Sequence, residues 1–417
     1  MGIPLKELLQ VPILKRSRVL AGRSGLDHEV EWVDVMDLPD IRPWIRPKTF
    51  LLSTFYVIRD DPEAQLDVIR TLAMSGAAGL CLDPHMFLKG VSHEFTQLAD
   101  QLGVPVVELP EEAGYGELIT PLMDVIIRRR RLETDFLSDL LEGKFRTEEF
   151  LARRARAINW RLQDRHAVMV VDIDEFEELS LKRFQDEEHI QAVKRTFAAA
   201  VEQIVQQRWS ERTAAFEKSD SIVLLPEIPT DMSPVEIREG CRALGYDIKA
   251  ALSRRLPDLS VTVGIGRLAP PTRLWRSYQQ AEQAIALGRQ FLRTIGVYSF
   301  DQVEIYSLLL ELERDQLHRF ATEQLGALIH YDREKGADFV HTLETYFEHE
   351  QNLARTARAL FIHRNSLQYR LERIKEILSI TSFGGAAALN LALAIKVRRV
   401  GDAPLDHRPE GWDGGLG

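Results

Sequence analysis

The residues with the most evident chemistry cluster near the C-terminus, in Asn352-Leu-Ala-Arg-Thr-Ala-Arg-Ala-Leu-Phe-Ile-His-Arg-Asn-Ser-Leu-Gln-Tyr-Arg-Leu-Glu-Arg-Ile374. Arg364, Asn365, Gln368, Tyr369 and Arg373 are types that read base edges: arginine pairs with guanine O6 and N7, and asparagine or glutamine with adenine N6 and N7. Arg355, Arg358, Arg370 and Lys375 flank them and suit phosphates, which position a protein without specifying sequence. His363 opens the same helix. It has no second ligand four residues on, so a phosphate or base contact fits it better than a metal. Leu353 to Lys375 holds six basic residues and one acid, Glu372, in a chain of net charge −10. The bland alternative is a helical hairpin with a solvated basic face. The Asn, Gln and Arg content and the short turn favour DNA.

Two short helices must position these side chains. Leu353, Ala357 and Leu360 fall on one helical stripe, and Leu367, Leu371, Ile374 and Leu378 on another. Phe361 and Ile362 lie where the first helix should stop and are expected to plug the angle between the two. This is the layout of a helix-turn-helix, with an inner face fixing the angle and an outer face entering a major groove.

The run from Ile362 to Ile374 resembles the C-terminal helix-turn-helix of the PucR (purine catabolism regulator-like) family of bacterial transcription factors. Tyr331-Asp332 and Thr342-Leu-Glu-Thr-Tyr-Phe347 resemble the helices that precede it there. Leu5-Lys-Glu-Leu-Leu9, Val19-Leu-Ala-Gly22, Val30-Glu-Trp-Val-Asp-Val35 and Gly103-Val-Pro-Val-Val-Glu-Leu-Pro110 resemble that family's N-terminal sensor domain. The resemblance implies an effector among nitrogen metabolites, such as purine breakdown products or amino acids.

Composition sets the outer limits. The chain has 417 residues, 45% apolar and 28% charged, which fits two to four soluble domains. No apolar run reaches the roughly 18 residues of a membrane span, and the N-terminus lacks the pattern of a signal peptide. Cys81 and Cys241 are the only cysteines, which fits a reducing cytoplasm and gives neither a disulfide framework nor a metal cluster. The acidic balance suits one small basic module on an acidic body.

Upstream, strands alternate with helices. Val30–Val35, Phe50–Thr54, Gly79–Leu82 and Val104–Leu109 read as strands, and Pro62–Met74 and Val91–Leu102 as helices, an α/β sensor domain. Ligands of such sheets sit beyond the C-terminal ends of the strands. Ser53, Thr54 and Asp83 stand there and are the candidate effector-binding residues. A helix over about Glu117–Glu142 follows. Its Leu118, Leu122, Val125, Leu132 and Phe136 form a seam, broken at Arg129, that could pair with a twin in a parallel coiled coil. Arg128 to Arg131 reads as a solvated charge run.

The middle segment resembles a nucleotide-cyclase-like domain of the GGDEF type. Ala167–Asp174, Ser221–Leu225 and Ser260–Gly266 are strands, separated by helices at Ile190–Gln207, Ser233–Arg254 and Leu274–Phe291. Asp172 and Asp174 match that family's metal carboxylates and are remnant candidates for a hard cation. The signature has decayed to Lys218-Ser-Asp-Ser-Ile222, without the two glycines and the glutamate. Turnover of a nucleotide is therefore not expected, and neither a metal nor another cofactor is assigned. Gly264-Ile-Gly266 lacks the third glycine of a dinucleotide fingerprint.

The expected architecture is α/β multidomain: a sensor domain over 2–114, a linker helix over 115–147, the degenerate cyclase-like domain over 148–300, and an all-α DNA-binding domain over 301–402 with its helix-turn-helix at 352–378. Residues 403–417 are expected to be a disordered tail. The reading is a cytoplasmic, homodimeric, ligand-responsive transcription regulator without enzymatic activity. Its partners are a double-stranded operator, a small-molecule effector and a second copy of itself, with no membrane. The alternative is a signalling protein whose cyclase-like domain senses or processes a nucleotide.

Overall fold

The computed structural model describes residues 2–38, 40–83, 90–109, 114–158, 160, 165–183, 187–209, 213–218, 220–228, 232–292 and 296–401. The expected tail 403–417 lies outside the described residues. The chain divides into two compact units, 1–163 and 164–417.

In the first unit, β1 (Ile3–Pro4) leads into α1 (Leu5–Leu8). The main strands are β2 (Val19–Ala21), β4 (Trp32–Val35), β5 (Thr49–Ser53), β6 (Gly79–Leu82) and β7 (Val106–Glu108), while β3 (Glu29–Val30) pairs with β1. The sheet order is β2-β7-β6-β5-β4, parallel from β4 to β7, with β2 antiparallel at one edge. Every residue of β5 and β6 is buried, because helices cover both faces. On one face, α2 (Pro62–Ser75) and α3 (His93–Leu102) set Ile69, Leu72, Phe95 and Ala99 against Leu51, Leu80 and Val106. Asp61 and Ser92 cap these helices through Ala64 N–H and Phe95 N–H.

The other face of the sheet corrects the expected coiled coil. Helix α4 (Tyr115–Leu141) packs Leu118, Leu122 and Ile126 onto Phe50, Leu52, Cys81 and Val107. Farther along, Phe136 meets Phe145 and Trp160 at ring distances of 5.3 and 5.4 Å, beside α5 (Glu148–Ala157). The seam is thus consumed within the chain, and only Leu132 of its predicted members is exposed. Arg129, where an apolar residue was due, is tucked in with its donors on Glu133 and the Ala157 carbonyl.

The second unit centres on β8 (Met169–Ile173). After it come α6 (Phe176–Arg183), α7 (Glu187–Arg208), β9 (Ala214–Lys218), β10 (Ser221–Leu225), α8 (Pro234–Arg255), β11 (Val261–Ile265), α9 (Leu274–Leu287) and β12 (Val297–Ser299). The sheet order is β12-β11-β8-β10-β9, with only β11 and β12 parallel. Helices α7 and α8 cover one face through Phe197, Val201, Cys241, Leu244 and Ile248. On the other, α9 lies so close to β11 that a Cβ at Gly264 or Gly266 would meet the Ala281 or Ser277 carbonyl oxygen at 2.0 or 1.9 Å. The two glycines serve this helix–strand approach. A π turn, Gly288–Leu292, ends α9.

Strand β12 passes straight into α10 (Phe300–Leu310), with Ser299 as the last strand residue and the helix cap. The remaining helices are α11 (Arg314–Lys335), α12 (Phe339–Glu348), α13 (Leu353–Ala359), α14 (Arg364–Leu378) and α15 (Gly385–Gly401). One apolar cluster joins Leu287, Phe291 and Tyr298 to Tyr306, Leu317 and Val397, so the cyclase-like sheet and the helical bundle share a core. A second cluster, with Leu325, Leu343, Ala357, Leu367, Leu371, Ile374 and Leu391, holds the two motif helices in the bundle.

Candidate nucleic-acid interface

Helix α13 starts where the Asn352 side chain accepts from the Ala354 and Arg355 amides at 3.0 and 3.1 Å. It seats the fully buried Thr356 and the nearly buried Ala357. It ends in a Schellman turn: the Phe361 amide donates to the Arg358 carbonyl and the Ile362 amide to the Ala357 carbonyl. Phe361 holds the left-handed position of that turn, with φ +54°. Glycine is usual there, and any other residue costs about 1 kcal/mol. This geometry overturns the expected plug. Ile362 is half-buried, but Phe361 points out and is 96% exposed.

Helix α14 is capped by His363, whose Nδ1 accepts from the Asn365 amide at 3.2 Å. The cap uses one ring nitrogen, and His363 is otherwise exposed. Leu367, Leu371 and Ile374 are buried, so the opposite face must point outward. Arg364, Asn365, Gln368 and Tyr369 are exposed on it, and Arg358 is exposed on α13. Among the described residues, Arg358 and Arg364 form no internal ion pair.

The later basic residues are placed differently. Arg370 is half-buried and donates to the Thr342 hydroxyl of α12 at 3.1 Å, tying α14 to its neighbour. Arg373 lies over the Tyr331 ring and pairs with Glu376 at 2.6 Å. Lys375 pairs with Glu372, and Arg355 with Glu350 at 3.7 Å. The free donors therefore concentrate at the start of α14, the end that meets base edges in this class of motif.

At the strand ends of the first unit, the structure supplies a residue that the sequence reading missed. Asp37, just after β4, accepts from the Ser53 hydroxyl at 2.8 Å and from the Thr54 amide and hydroxyl at 3.0 and 3.1 Å. Ser53 in turn accepts from the Phe55 amide. The hydroxyls expected to meet a ligand thus meet a carboxylate, and the cavity beside them encloses only about 10 Å³. Asp83 is half-buried at the end of β6. Burial, and then the charge of Asp37, push the Tyr115 phenol of α4 up.

The cyclase-like carboxylates are likewise occupied from within. Arg289, in the π turn after α9, bridges Asp172, at 2.6 Å, and Asp174. Thr262 donates to Asp174 at 2.6 Å, and Ser260 adds a second hydroxyl. Burial lifts Asp172 to about 6 despite Arg289. Burial also acts on Asp174, but the hydroxyl donors and Arg289 outweigh it and hold that carboxyl below its ordinary range. Lys218 sits over the Tyr278 ring and near Glu282. The open cleft here, about 290 Å³, is rimmed by Asp172, Lys218, Ser221, Glu282 and Arg289. Ser219 of the decayed signature lies outside the described residues. As a correction to the remnant metal pair, a guanidinium stands between the two carboxylates. Among the described residues, no cluster of three or more His, Cys, Asp or Glu forms that could hold a metal.

Comparison with known proteins agrees with this arrangement. The purine catabolism regulatory protein-like family matches residues 7–126, a GGDEF-like domain residues 142–287, and the PucR C-terminal helix-turn-helix domain residues 339–397. A mixed α/β chain that ends in a helical bundle therefore matches, piece by piece, domain models of the PucR type. More particularly, the chain carries a PucR-family domain, a GGDEF-like domain and the PucR helix-turn-helix, in that order.

The purine catabolism regulatory protein of Bacillus subtilis is 28% identical over 146 residues, 33% of this chain and 28% of that protein. The DNA-binding transcriptional activator AdeR of the same organism is 24% identical over 285 residues, 67% of this chain and 63% of that one. The carbohydrate diacid regulator of Escherichia coli is 30% identical over 131 residues, 31% of this chain and 34% of that one. The chain thus spans less than two thirds of the length of each of these relatives. No helix among the described residues is long and apolar enough to cross a membrane.

Proposed function

We propose that this chain is a ligand-responsive regulator that binds a specific operator as a homodimer in the cytoplasm and controls a nitrogen-metabolite pathway. The carrying observation is the start of α14: Arg364, Asn365 and Gln368 exposed on a helix whose opposite face is buried in the bundle. One such helix reads only a few base pairs, too little for genomic selectivity. Two copies related by a two-fold axis would read half-sites about 34 Å apart or a multiple of that.

The effector is placed at the sensor strand ends, around Asp37, Ser53, Thr54 and Asp83. Asp37 is held there by neutral hydroxyl and amide donors, which a ligand amine or amide N–H can replace. A nitrogen metabolite fits that exchange. Differential binding to one arrangement of the sensor would shift the dimer and the spacing of its reading heads. The GGDEF-like domain serves as a scaffold without turnover, because Arg289 holds the carboxylates that a catalytic cation would need.

The test uses the full chain and a duplex selected by it from a random-sequence pool. Arg364→Ala and Asn365→Ala should each weaken binding with unchanged melting temperature. Unchanged affinity in both variants, or a monomer by light scattering both free and on DNA, removes the reading. For the effector, calorimetry with amino acids and purine breakdown products should give binding that Asp37→Asn abolishes. Binding that persists in Asp37→Asn and disappears in Asp172→Asn would move the site to the cleft.

A further inference from the structure

Phe361 is 96% exposed, more than any other large apolar side chain among the described residues. It is also held in a backbone conformation that phenylalanine adopts at a cost, φ +54° at the end of α13. Glycine would fit the same Schellman hydrogen bonds without strain. An aromatic that is strained, solvated and packed against nothing adds nothing to folding, so its place must come from contact with something outside the chain.

The surroundings say what that is. Arg358, His363, Arg364 and Asn365, all within four residues of it in sequence, are exposed, and the stretch from Arg358 to Asn365 contains no acid. The turn immediately precedes the end of α14 that enters the groove. Two exposed arginines within three residues of one exposed apolar ring suit a polyanion that also offers apolar surface. Duplex DNA offers two such surfaces, the thymine C5-methyl and the deoxyribose carbons.

We infer that Phe361 is a DNA contact, a ring held out by the turn to pack on a thymine methyl or deoxyribose at the edge of the half-site. The inference rests on the DNA-binding reading above and adds an apolar, sequence-sensitive contact to its polar ones. The Schellman turn then has two roles: it stops α13 and aims the ring.

The test compares the full-length wild type with Phe361→Gly and Phe361→Leu on a duplex selected by the wild type from a random-sequence pool. If the pool yields no enriched sequence, the DNA-binding reading itself fails, and this inference with it. Given an enriched duplex, Phe361→Gly should melt no lower than the wild type, since the strain is gone, yet bind roughly tenfold more weakly. Phe361→Leu should fall between the two. Replacing thymines of the duplex by deoxyuridine separates the two surfaces. If the wild type loses affinity and Phe361→Gly does not, the ring meets a methyl; if neither loses any, while Phe361→Gly stays weak on both duplexes, it meets the sugar. Equal affinity of Phe361→Gly and wild type on the selected duplex overturns the inference, including the case in which transcription in cells still drops and the ring serves a protein partner.

Discussion

At the end of β8, Asp172 faces a cleft and Arg289 bridges it to Asp174, with Thr262 and Ser260 completing the shell. At the start of α14, the side chains of Arg364 and Asn365 also face solvent, but among the described residues neither side chain is hydrogen-bonded or ion-paired within the chain. One place lies in the GGDEF-like domain and the other in the PucR helix-turn-helix domain, and both present polar groups at an element's end. In the first, the chain has answered its own charges, and a ligand would have to break ion pairs to enter. In the second, the donors stay open because the apolar face of α14 fixes the helix without help from them. What sets the proposed DNA-reading surface apart is less how many charges it carries than how many remain unanswered.

Four experiments can break or sharpen that contrast. The largest effect should come from the hidden side of the reading head. Leu367 is fully buried in the bundle, so Leu367→Ala should cost about 3 kcal/mol of stability and lower DNA affinity only through partial unfolding. Thermal melts with and without operator would show this, and a variant that melts normally but does not bind would contradict it. Next, Arg364→Ala should leave the melt alone and cost about 2 kcal/mol in binding, roughly thirtyfold. A shift in melting temperature without loss of affinity would mean that Arg364 is structural after all.

In the cleft the order should reverse. Arg289→Ala strips both carboxylates of their cation and should destabilise the second unit. The guanidinium side chain is 37% exposed, so water screens the loss, and about 1–2 kcal/mol is expected rather than the larger cost of a sealed pair. Denaturant titration measures it, and an unchanged midpoint would show the bridge to be idle.

The smallest effect is the pH response of the wild type. Burial depresses His166 to about 4, so its stabilising contribution is present above about 6.5 and is lost as pH falls toward 4. Asp172 is raised to about 6, so its contribution is full below about 3.8 and is lost as pH rises through 6. Over the same window the two slopes oppose each other and should nearly cancel. Asp172→Asn removes one of them, and the variant should then lose about 2–3 kcal/mol between pH 6.5 and 4. Parallel profiles for wild type and variant would refute the pairing.

Much of this was legible in the residues. Gly79–Leu82 was expected as a strand and forms one with the same bounds, because a buried parallel strand is an unbroken apolar run. The stripe of Leu367, Leu371 and Ile374 told which side of α14 faces inward. The strands β9 and β12 were not expected, since Ala214-Ala-Phe-Glu-Lys218 and Val297–Ser299 lie at the two edges of the sheet, each paired with a single neighbour, and neither is an unbroken apolar run. The seam of α4 was read as a dimer contact because the same apolar spacing serves a twin helix or the chain's own sheet. Asp37 and Arg289 escaped notice because each meets its partners across 16 or more residues of sequence. Phe361 was placed inside because it is apolar, and a left-handed turn reverses that rule.

The junction at Ser299 has a consequence of its own. One residue closes the last strand of the cyclase-like sheet and opens the first helix of the bundle, and Arg399 of α15 then bonds the Phe291 carbonyl, Tyr306, Glu344 and Glu348. Sheet and bundle meet without a linker and share a core, so the second unit is built as a wrench rather than a chain, and under the proposed function a turn of the sheet would be expected to turn the helix-turn-helix with it. Two glycines inserted after Ser299 would leave every pocket and every base-reading side chain intact and still uncouple handle from jaw.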